Sequence, residues 1–234
     1  MIYDDHVHLV DKTVSTYYDS GIFKNGITFK DYGLTQIMTQ KLEKVSDAMI
    51  MCWNLDHKPM FEKYCTGRKV AVQAGGFIGI YPKLLSHMFD EVYTFEPDPL
   101  NFHCLVNNCQ SPNIHKFNSV LGAEHQLVNV GGGLDVNPGM FKVLGSDNRS
   151  NVPTLRIDDL RLNACDLIQL DIEGYEVNAL TGASETIERF KPIICCEVHL
   201  SSEHSSRILE CLSKWNYKEV EVLSYAGDRL YRAV

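Results

Sequence analysis

The chain has 234 residues, of which 44% are hydrophobic and 22% are charged, and its formal net charge is −8. This composition is ordinary for a globular protein and excludes a fibrous or intrinsically disordered chain. The acidic balance disfavours a nucleic-acid partner, because surfaces that track phosphates are basic. The sequence contains neither an apolar run of membrane-spanning length nor a signal-like start, so we expect a cytoplasmic protein without a membrane partner.

The first part of the chain differs from the rest. Residues 1–66 contain a possible helix at 35–53 but no strand, glycine turn and helix in succession, so we predict a mostly helical N-terminal cap. The pair His6 and His8 could bind a metal, but a flexible polar terminus is the favoured interpretation. An open alternative for the cap is a lid over the substrate site, formed by aromatic residues such as Tyr17.

From residue 67 onward, strand-like and helix-like segments alternate, which is typical of a parallel sheet with helices on both faces. We therefore predict one doubly wound α/β domain over residues 67–234. Pro82 and Pro99 are expected to begin helices, with Asp98 as a cap of the second. Residues 124–150 interrupt the alternation as a hairpin or an irregular insertion. Two short runs at the end of the chain predict a hairpin that adds an antiparallel edge.

The eight cysteines include no C-x-x-C pair, and several lie within apolar runs. We expect them to be reduced and buried rather than metal-binding or catalytic. The adjacent Cys195 and Cys196 lie in the strand-like run PIICCEV, so their side chains should point to opposite faces of the sheet.

The stretch VAVQAGGFIGIY, residues 70–81, predicts a buried strand that ends in a turn containing Gly75, Gly76 and Gly79. Such a turn allows the backbone to approach a ligand closely. After the next strand comes Glu96, 21 positions beyond Gly75. That is the separation at which an acidic side chain meets ribose hydroxyls. Together the two strand ends predict a nucleoside site.

The glycine spacing distinguishes between two kinds of nucleoside. Dinucleotide-binding turns follow G-x-G-x-x-G. Here, counted from Gly75, the position of the second glycine is occupied by Phe77. The departure favours a nucleoside with a small charged tail, such as S-adenosylmethionine, over a nicotinamide dinucleotide.

A second signature is more specific. Residues 166–183 read DLIQLDIEGYEVNALTGA, a strand that ends at Asp171 and leads through acidic residues into a helix. With VQAGGFIGIY, VYTFEPDPLNF, VPTLRIDDL and KPIICCEVH, in this order, the chain resembles the FkbM-type methyltransferases of the class I S-adenosylmethionine-dependent group, over about residues 69–200. The resemblance implies a seven-stranded Rossmann-like sheet, S-adenosyl-L-methionine as cofactor, and methyl transfer to oxygen, often of a sugar or polyketide hydroxyl.

The resemblance also implies roles for particular residues. Gly75 and Gly79 would line the methionine portion of the cofactor, Glu96 would bind the ribose, and Asn118 to Val120 would flank adenine. Asp171 and Glu173 match the acidic pair beside the reacting centre. The full set of predicted cofactor-binding residues is Gln73, Gly75, Gly76, Phe77, Gly79, Glu96, Pro97, Asn118, Ser119, Val120 and Asp171.

One position departs from the family pattern. Related enzymes commonly carry Asp where this chain has Gln73, so a carboxylate that would hold the cofactor's ammonium is missing. A charge-assisted hydrogen bond is roughly twice as strong as a neutral one. We therefore expect either modest cofactor affinity or compensation by another acid, for which Asp171 is the nearest candidate.

Three residues are candidates for the catalytic base that takes the proton of the acceptor hydroxyl: Asp171, Glu173 and His199. Asp171 is favoured, because a carboxylate that ends an apolar strand needs a partner. Glu173 has an alternative role as a helix cap, and His199 as an ordinary loop histidine. Asp171, Glu197 and His199 would also suit a divalent cation, but the prediction is that no metal is bound.

The leading functional hypothesis is therefore an O-methyltransferase that acts on a hydroxyl of a sugar, glycan or other small molecule. A ribose-methylating RNA enzyme is an alternative, for which Lys142 and Lys191 could supply a catalytic lysine, although the net charge of −8 argues against it. A noncatalytic cofactor-binding module is a third possibility. A nicotinamide-dependent oxidoreductase is disfavoured by Phe77.

Overall fold

The computed structural model describes residues 57–77, 79–132, 141–198, 203–223 and 227–234. The helices are α1 (His57–Tyr64), α2 (Ile80–Ser86), α3 (Pro99–Asn108), α4 (Glu176–Thr181), α5 (Ser184–Phe190) and α6 (Glu203–Ser213), with a short 3-10 helix at Ile157–Leu160. The strands are β1 (Val70–Ala74), β2 (Glu91–Phe95), β3 (Ile114–Phe117), β4 (Val120–Leu121), β5 (Leu127–Gly132), β6 (Phe141–Gly145), β7 (Val152–Leu155), β8 (Leu167–Leu170), β9 (Ile193–Glu197), β10 (Tyr217–Val222) and β11 (Asp228–Ala233).

The main sheet has seven strands in the order β10-β11-β9-β8-β1-β2-β3. The five strands from β9 to β3 run parallel, whereas β11 is antiparallel to β9 and pairs with β10 as a hairpin. The predicted doubly wound, mostly parallel sheet with an antiparallel C-terminal edge is confirmed. The strand order reverses direction between β1 and β8, which is the topological switch point where ligands bind in open α/β sheets.

Helices cover both faces of this sheet. One core cluster includes side chains of α1, α2 and α3, and the other includes side chains of α4, α5 and α6. Every residue of β1 and β8 is buried, as expected for central parallel strands between two layers of helices. Cys195 belongs to one cluster and Cys196 to the other, so the predicted opposite orientation is confirmed. The six cysteines whose side chains are described are free and buried.

The two predicted helix starts have different outcomes. Helix α3 begins at Pro99, and Asp98 Oδ1 accepts a hydrogen bond from the Asn101 amide at 2.9 Å, as predicted. The prediction for Pro82 was wrong, because α2 begins at Ile80 and places the proline third. That position still suits proline, since the first amides of a helix have no intrahelical acceptor.

The insertion predicted over residues 124–150 contributes to a second sheet of four strands, in the order β4-β7-β5-β6. Strands β5 and β6 form its antiparallel hairpin. A small core of Val120, Val128 and Val152 holds this sheet together. Because β4 follows directly after β3, the second sheet begins at the carboxyl end of the main one.

The predicted helix at 35–53 and the proposed lid lie outside the described residues. Helix α1 falls within the segment assigned to the N-terminal cap, yet its Phe61 is fully buried in the core beneath the main sheet. The domain division at residue 66 stays a prediction. Within the described ranges, no helix combines the length and apolar character needed to cross a bilayer.

The burial of Phe61 predicts that α1 is part of the folding unit of the main sheet. Phe61→Ala should lower the free energy of unfolding by about 3–5 kcal/mol, because it opens a cavity in the core. Leu209→Ala is the control, since that leucine is 40% exposed on α6. Chemical denaturation measures both. Equal, small losses would show that α1 contributes nothing to the core.

Candidate functional site

A crevice that is partly open to solvent lies at the carboxyl ends of β1, β2 and β8, beside the switch point. The residues that line it are Ala74, Gly75, Phe95, Glu96, Pro97, Ser119, Val120, Leu121, Phe141, Lys142, Val143, Asp171, Ile172 and Tyr175. The crevice therefore lies where the sequence predicts a nucleoside site.

The glycine turn after β1 is shaped by contacts within the protein. Gly75 has φ +82°, and a β-carbon there would lie 1.9 Å from the carbonyl oxygen of Asp171. A β-carbon on Gly76 would lie 2.4 Å from Leu105, and one on Gly79 would lie 2.4 Å from the Cys109 sulfur. The glycines are thus required by close packing of neighbouring segments as well as by backbone conformation.

Glu96 follows β2 and is buried at the wall of the crevice. Its Oε2 accepts a hydrogen bond from the Phe77 amide at 2.7 Å, and its Oε1 accepts one from the Asp98 amide at 2.9 Å. Burial raises the pKa of this carboxyl to about 7, although the two amides favour the charged form. The Asn101 side chain also donates to this carboxylate, so about one of its four lone-pair sites remains for a ligand hydroxyl.

Two predicted site residues shape the surroundings of Glu96. Phe77 has φ +45°, which is uncommon for a residue other than glycine, and this conformation directs its amide to the Glu96 carboxylate. The Asn118 side chain donates hydrogen bonds to the carbonyl oxygens of Glu96 and Pro97, at 2.8 and 3.1 Å. Phe77 therefore holds the Glu96 carboxylate through its own backbone amide, whereas Asn118 holds the backbone carbonyl oxygen of Glu96 with its side chain.

Asp171 follows β8 and remains open to solvent through the crevice. Desolvation by the surrounding protein raises the pKa of its carboxyl well above the usual range, and the negative charges of Asp228, Glu197 and Glu173 raise it further. A carboxyl group with a raised pKa is a stronger proton acceptor than an ordinary aspartate once it is ionised. Perturbed acids of this kind are common at functional sites.

Ser119 lies in the crevice wall with only 2% of its surface exposed. Its Oγ has no hydrogen-bond partner within the described ranges. A buried hydroxyl without a partner costs free energy, and a bound ligand would supply the missing bond. Its neighbour Val120 adds apolar surface to the same wall.

The crevice brings together six of the predicted residues, namely Gly75, Glu96, Pro97, Ser119, Val120 and Asp171, and it is not bordered by Gln73, Gly76, Phe77, Gly79, Asn118 or Glu173. Gln73 is fully buried, and its Oε1 accepts a hydrogen bond from the Thr94 hydroxyl at 2.5 Å. The N-terminal position of α4, Tyr175, makes no side-chain capping hydrogen bond, and Glu176 accepts bonds from the Ile172 and Gly174 amides of the preceding loop. The capping role considered for Glu173 stays a prediction. His199 lies outside the described residues, so its role stays a prediction.

The sequence interpretation missed that Phe141, Lys142 and Val143 of β6 form one side of the crevice, and it named Lys142 only as a possible catalytic lysine of the RNA alternative. It identified the insertion, but no pattern in it indicated that its second strand would border the ends of β1 and β8. Tyr175, at the start of α4, was also missed. The only signal for it was its place within DIEGYE.

Within the part of the chain that the structure describes, no group of three or more His, Cys, Asp or Glu side chains is arranged to hold a metal ion. The cation site considered for Asp171, Glu197 and His199 includes a residue beyond that part. It therefore stays a prediction, as does the expectation that no metal is bound.

Comparison with protein families agrees with the resemblance seen in the sequence. The family described as Methyltransferase FkbM domain matches residues 86–219, more than half of the chain. The chain belongs to this family. The matched region begins after the glycine turn and extends to β10, so it starts and ends later than the motifs alone indicated. No curated protein matches the sequence.

One solved structure supports the fold, and two others are similar at lower TM-scores. Methyltransferase FkbM from Methylobacillus flagellatus KT shares 22% identity at a TM-score of 0.51, over 70% of this chain and 43% of that protein. The chain therefore spans less than half the length of that protein. Precorrin 8w decarboxylase from Methanobacterium thermoautotrophicum has 14% identity and a TM-score of 0.47, over 77% of this chain and 90% of the other. An S-adenosylmethionine-dependent methyltransferase from Aquifex aeolicus has 13% identity and a TM-score of 0.43, over 82% of this chain and 96% of the other.

The close approach of Gly75 to Asp171 generates a prediction with a matched control. Gly75→Ala should lower the free energy of unfolding by about 1–3 kcal/mol more than Gly145→Ala. Both glycines have a positive φ, +82° and +110°, but a β-carbon on Gly145 would meet nothing within 4 Å. Chemical denaturation of the two variants measures the difference. Equal losses would mean that backbone conformation alone requires Gly75.

Proposed function

We propose that this protein is an S-adenosylmethionine-dependent O-methyltransferase that acts on a hydroxyl of a sugar, glycan or other small molecule. The observation that carries the proposal is the crevice shared by Glu96, Ser119 and Asp171. Membership of the FkbM methyltransferase family supports methyl transfer. The cofactor, the acceptor class and the residue roles are the parts that experiment must test.

The residues of the crevice fit an adenosine cofactor. Glu96 has acceptor capacity for a ribose hydroxyl, and the unpartnered Ser119 Oγ is available to a polar edge of adenine. Val120 and Leu121 offer apolar surface to the ring. Gly75, which lines the crevice, would border the methionine portion.

The acidic character of the crevice suits a cofactor with a positive charge. Glu96 and Asp171 both border it, and Glu173, Glu197 and Asp228 add negative charge around Asp171. When bound, S-adenosylmethionine supplies a methyl group that is already activated by its positively charged sulfur.

Asp171 is the proposed general base. Methyl transfer to a hydroxyl releases one proton, and a carboxylate within hydrogen-bond reach of that hydroxyl accelerates the reaction by roughly 100- to 10,000-fold. Asp171 is open to the crevice and its raised pKa strengthens it as an acceptor. The negative charge of Glu173, two residues further along the chain, raises the pKa of Asp171 further.

A second candidate, an RNA ribose methyltransferase, is favoured by one observation. Lys142 borders the crevice together with Asp171, which supplies the pairing of lysine and acid that this alternative requires. The formal net charge of −8 argues against a long phosphate-binding surface. We therefore prefer the small-molecule or glycan acceptor.

The raised pKa of Glu96 predicts a pH-dependent cofactor affinity. Only the ionised carboxylate accepts a hydroxyl hydrogen bond in addition to those from its protein donors, and its pKa in the free protein is about 7. Affinity for S-adenosylmethionine should therefore fall about tenfold between pH 8 and pH 6, as measured by calorimetry. Glu96→Gln should bind more weakly and lose this dependence, while Asp171→Asn should keep it. A wild-type affinity that does not change over this range would contradict the role of Glu96.

The proposed base predicts that Asp171→Asn will bind S-adenosylmethionine but lose about 100- to 10,000-fold in kcat. The assay measures S-adenosylhomocysteine formed with a panel of methyl glycosides and with a short RNA. Asp90→Asn is the control, because Asp90 is exposed just before β2, at the edge opposite the crevice. Full activity of the Asp171 variant would refute the assignment, and transfer to RNA alone would establish the second candidate. Cofactor binding without transfer to any probe would favour a noncatalytic module.

A further inference from the structure

Glu176, at the first position of α4, has a buried carboxylate that none of the roles above uses. Only 1% of its surface is exposed. Its Oε1 accepts hydrogen bonds from the Ile172 amide at 3.2 Å and from the Gly174 amide at 3.3 Å. Both amides belong to the loop of residues 171–175, which joins β8 to α4 and borders the crevice.

The conformation of this loop needs support. Glu173 has φ +54° and the next residue, Gly174, has φ +100°. A residue with a side chain pays roughly 1–2 kcal/mol to adopt the left-handed region, so such a conformation persists only when neighbouring contacts impose it. The two amides that Glu176 binds lie on either side of Glu173. The Glu176 carboxylate therefore bridges the strained position.

His204 uses the other oxygen of the same carboxylate. Its Nε2 lies 2.5 Å from Glu176 Oε2, and the histidine belongs to α6, 28 residues further along the chain. Helices α4 and α6 are in contact with each other. A carboxylate buried without donors would be costly, whereas three donors from two segments make this one stable in its place.

We propose that Glu176 and His204 are a positioning pair that holds the loop of Asp171 and Glu173 in the conformation required at the crevice. This inference rests on the proposed function, because it assigns the loop to methyl transfer. Neither residue of the pair borders the crevice. They act by fixing the backbone of the loop that contains Asp171. Because His204 belongs to α6, this contact couples α6 to the reacting centre.

The first test uses the full-length protein and requires no acceptor. Hydrogen–deuterium exchange of peptides that cover residues 171–175 should become about tenfold faster in Glu176→Ala and in His204→Ala, because each variant releases the loop. His204→Gln should restore slow exchange, since its side-chain amide can donate to Glu176 Oε2. The matched control is His115→Ala, which removes a histidine–carboxylate pair with Glu91 at the opposite edge of the sheet.

The second test separates positioning from a general loss of stability. In Glu176→Ala and His204→Ala, kcat should fall about 10- to 100-fold, because a small displacement of a catalytic group is costly. The KM for the acceptor and the calorimetric affinity for S-adenosylmethionine should both stay within about twofold of the wild-type values. The acceptor is the methyl glycoside of the panel with the highest wild-type rate. His204→Gln and His115→Ala should retain kcat.

The outcomes distinguish this inference from the proposed function. Unchanged exchange at residues 171–175 in both alanine variants overturns the positioning pair, whether or not an acceptor has been found. Faster exchange with an unchanged kcat also overturns it, since the loop conformation would then not matter to transfer. A wild-type protein that binds no S-adenosylmethionine overturns the proposed function instead, while the exchange measurement still decides whether the pair holds the loop.

Discussion

The carbonyl oxygen of Asp171 occupies nearly the position that a β-carbon on residue 75 would need, and this close approach organises the site. Only glycine allows the ends of β1 and β8 to meet so closely at the point where the strand order reverses. The neighbouring β2 is followed by Glu96, whose carboxylate accepts hydrogen bonds from the Phe77 and Asp98 amides. One backbone contact thus brings a turn, a binding carboxylate and a catalytic candidate to one crevice.

The two carboxyl groups of the crevice differ in their surroundings, and the difference suits the separate roles proposed for them. Glu96 is buried and fixed by two amide donors, so it is prepared to hold hydroxyl groups in a defined geometry. Asp171 is open to the crevice and crowded by other acids, which strengthens it as a proton acceptor. Positioning of this kind can supply about 7–11 kcal/mol of a reaction barrier.

The periodicity of hydrophobic residues and the positions of glycine turns were enough to predict the doubly wound sheet and its antiparallel edge, because both reflect local structure directly. The predicted crevice residues Glu96 and Asp171 follow from the rule that parallel strand ends converge. Gly76 could not be explained from the sequence, because its requirement comes from Leu105 on α3. The β6 side of the crevice and the contact between Glu176 and His204 also depend on tertiary packing, which leaves no local pattern.

The central claim is that this crevice holds an adenosine through Glu96 and Ser119. A crystal structure of the protein with S-adenosylhomocysteine tests it most directly. We predict a ribose hydroxyl within about 2.5–3.0 Å of a Glu96 carboxylate oxygen and the adenine beside Ser119 and Val120. A nucleoside bound elsewhere, or a Glu96 carboxylate turned away from the ribose, would contradict the account.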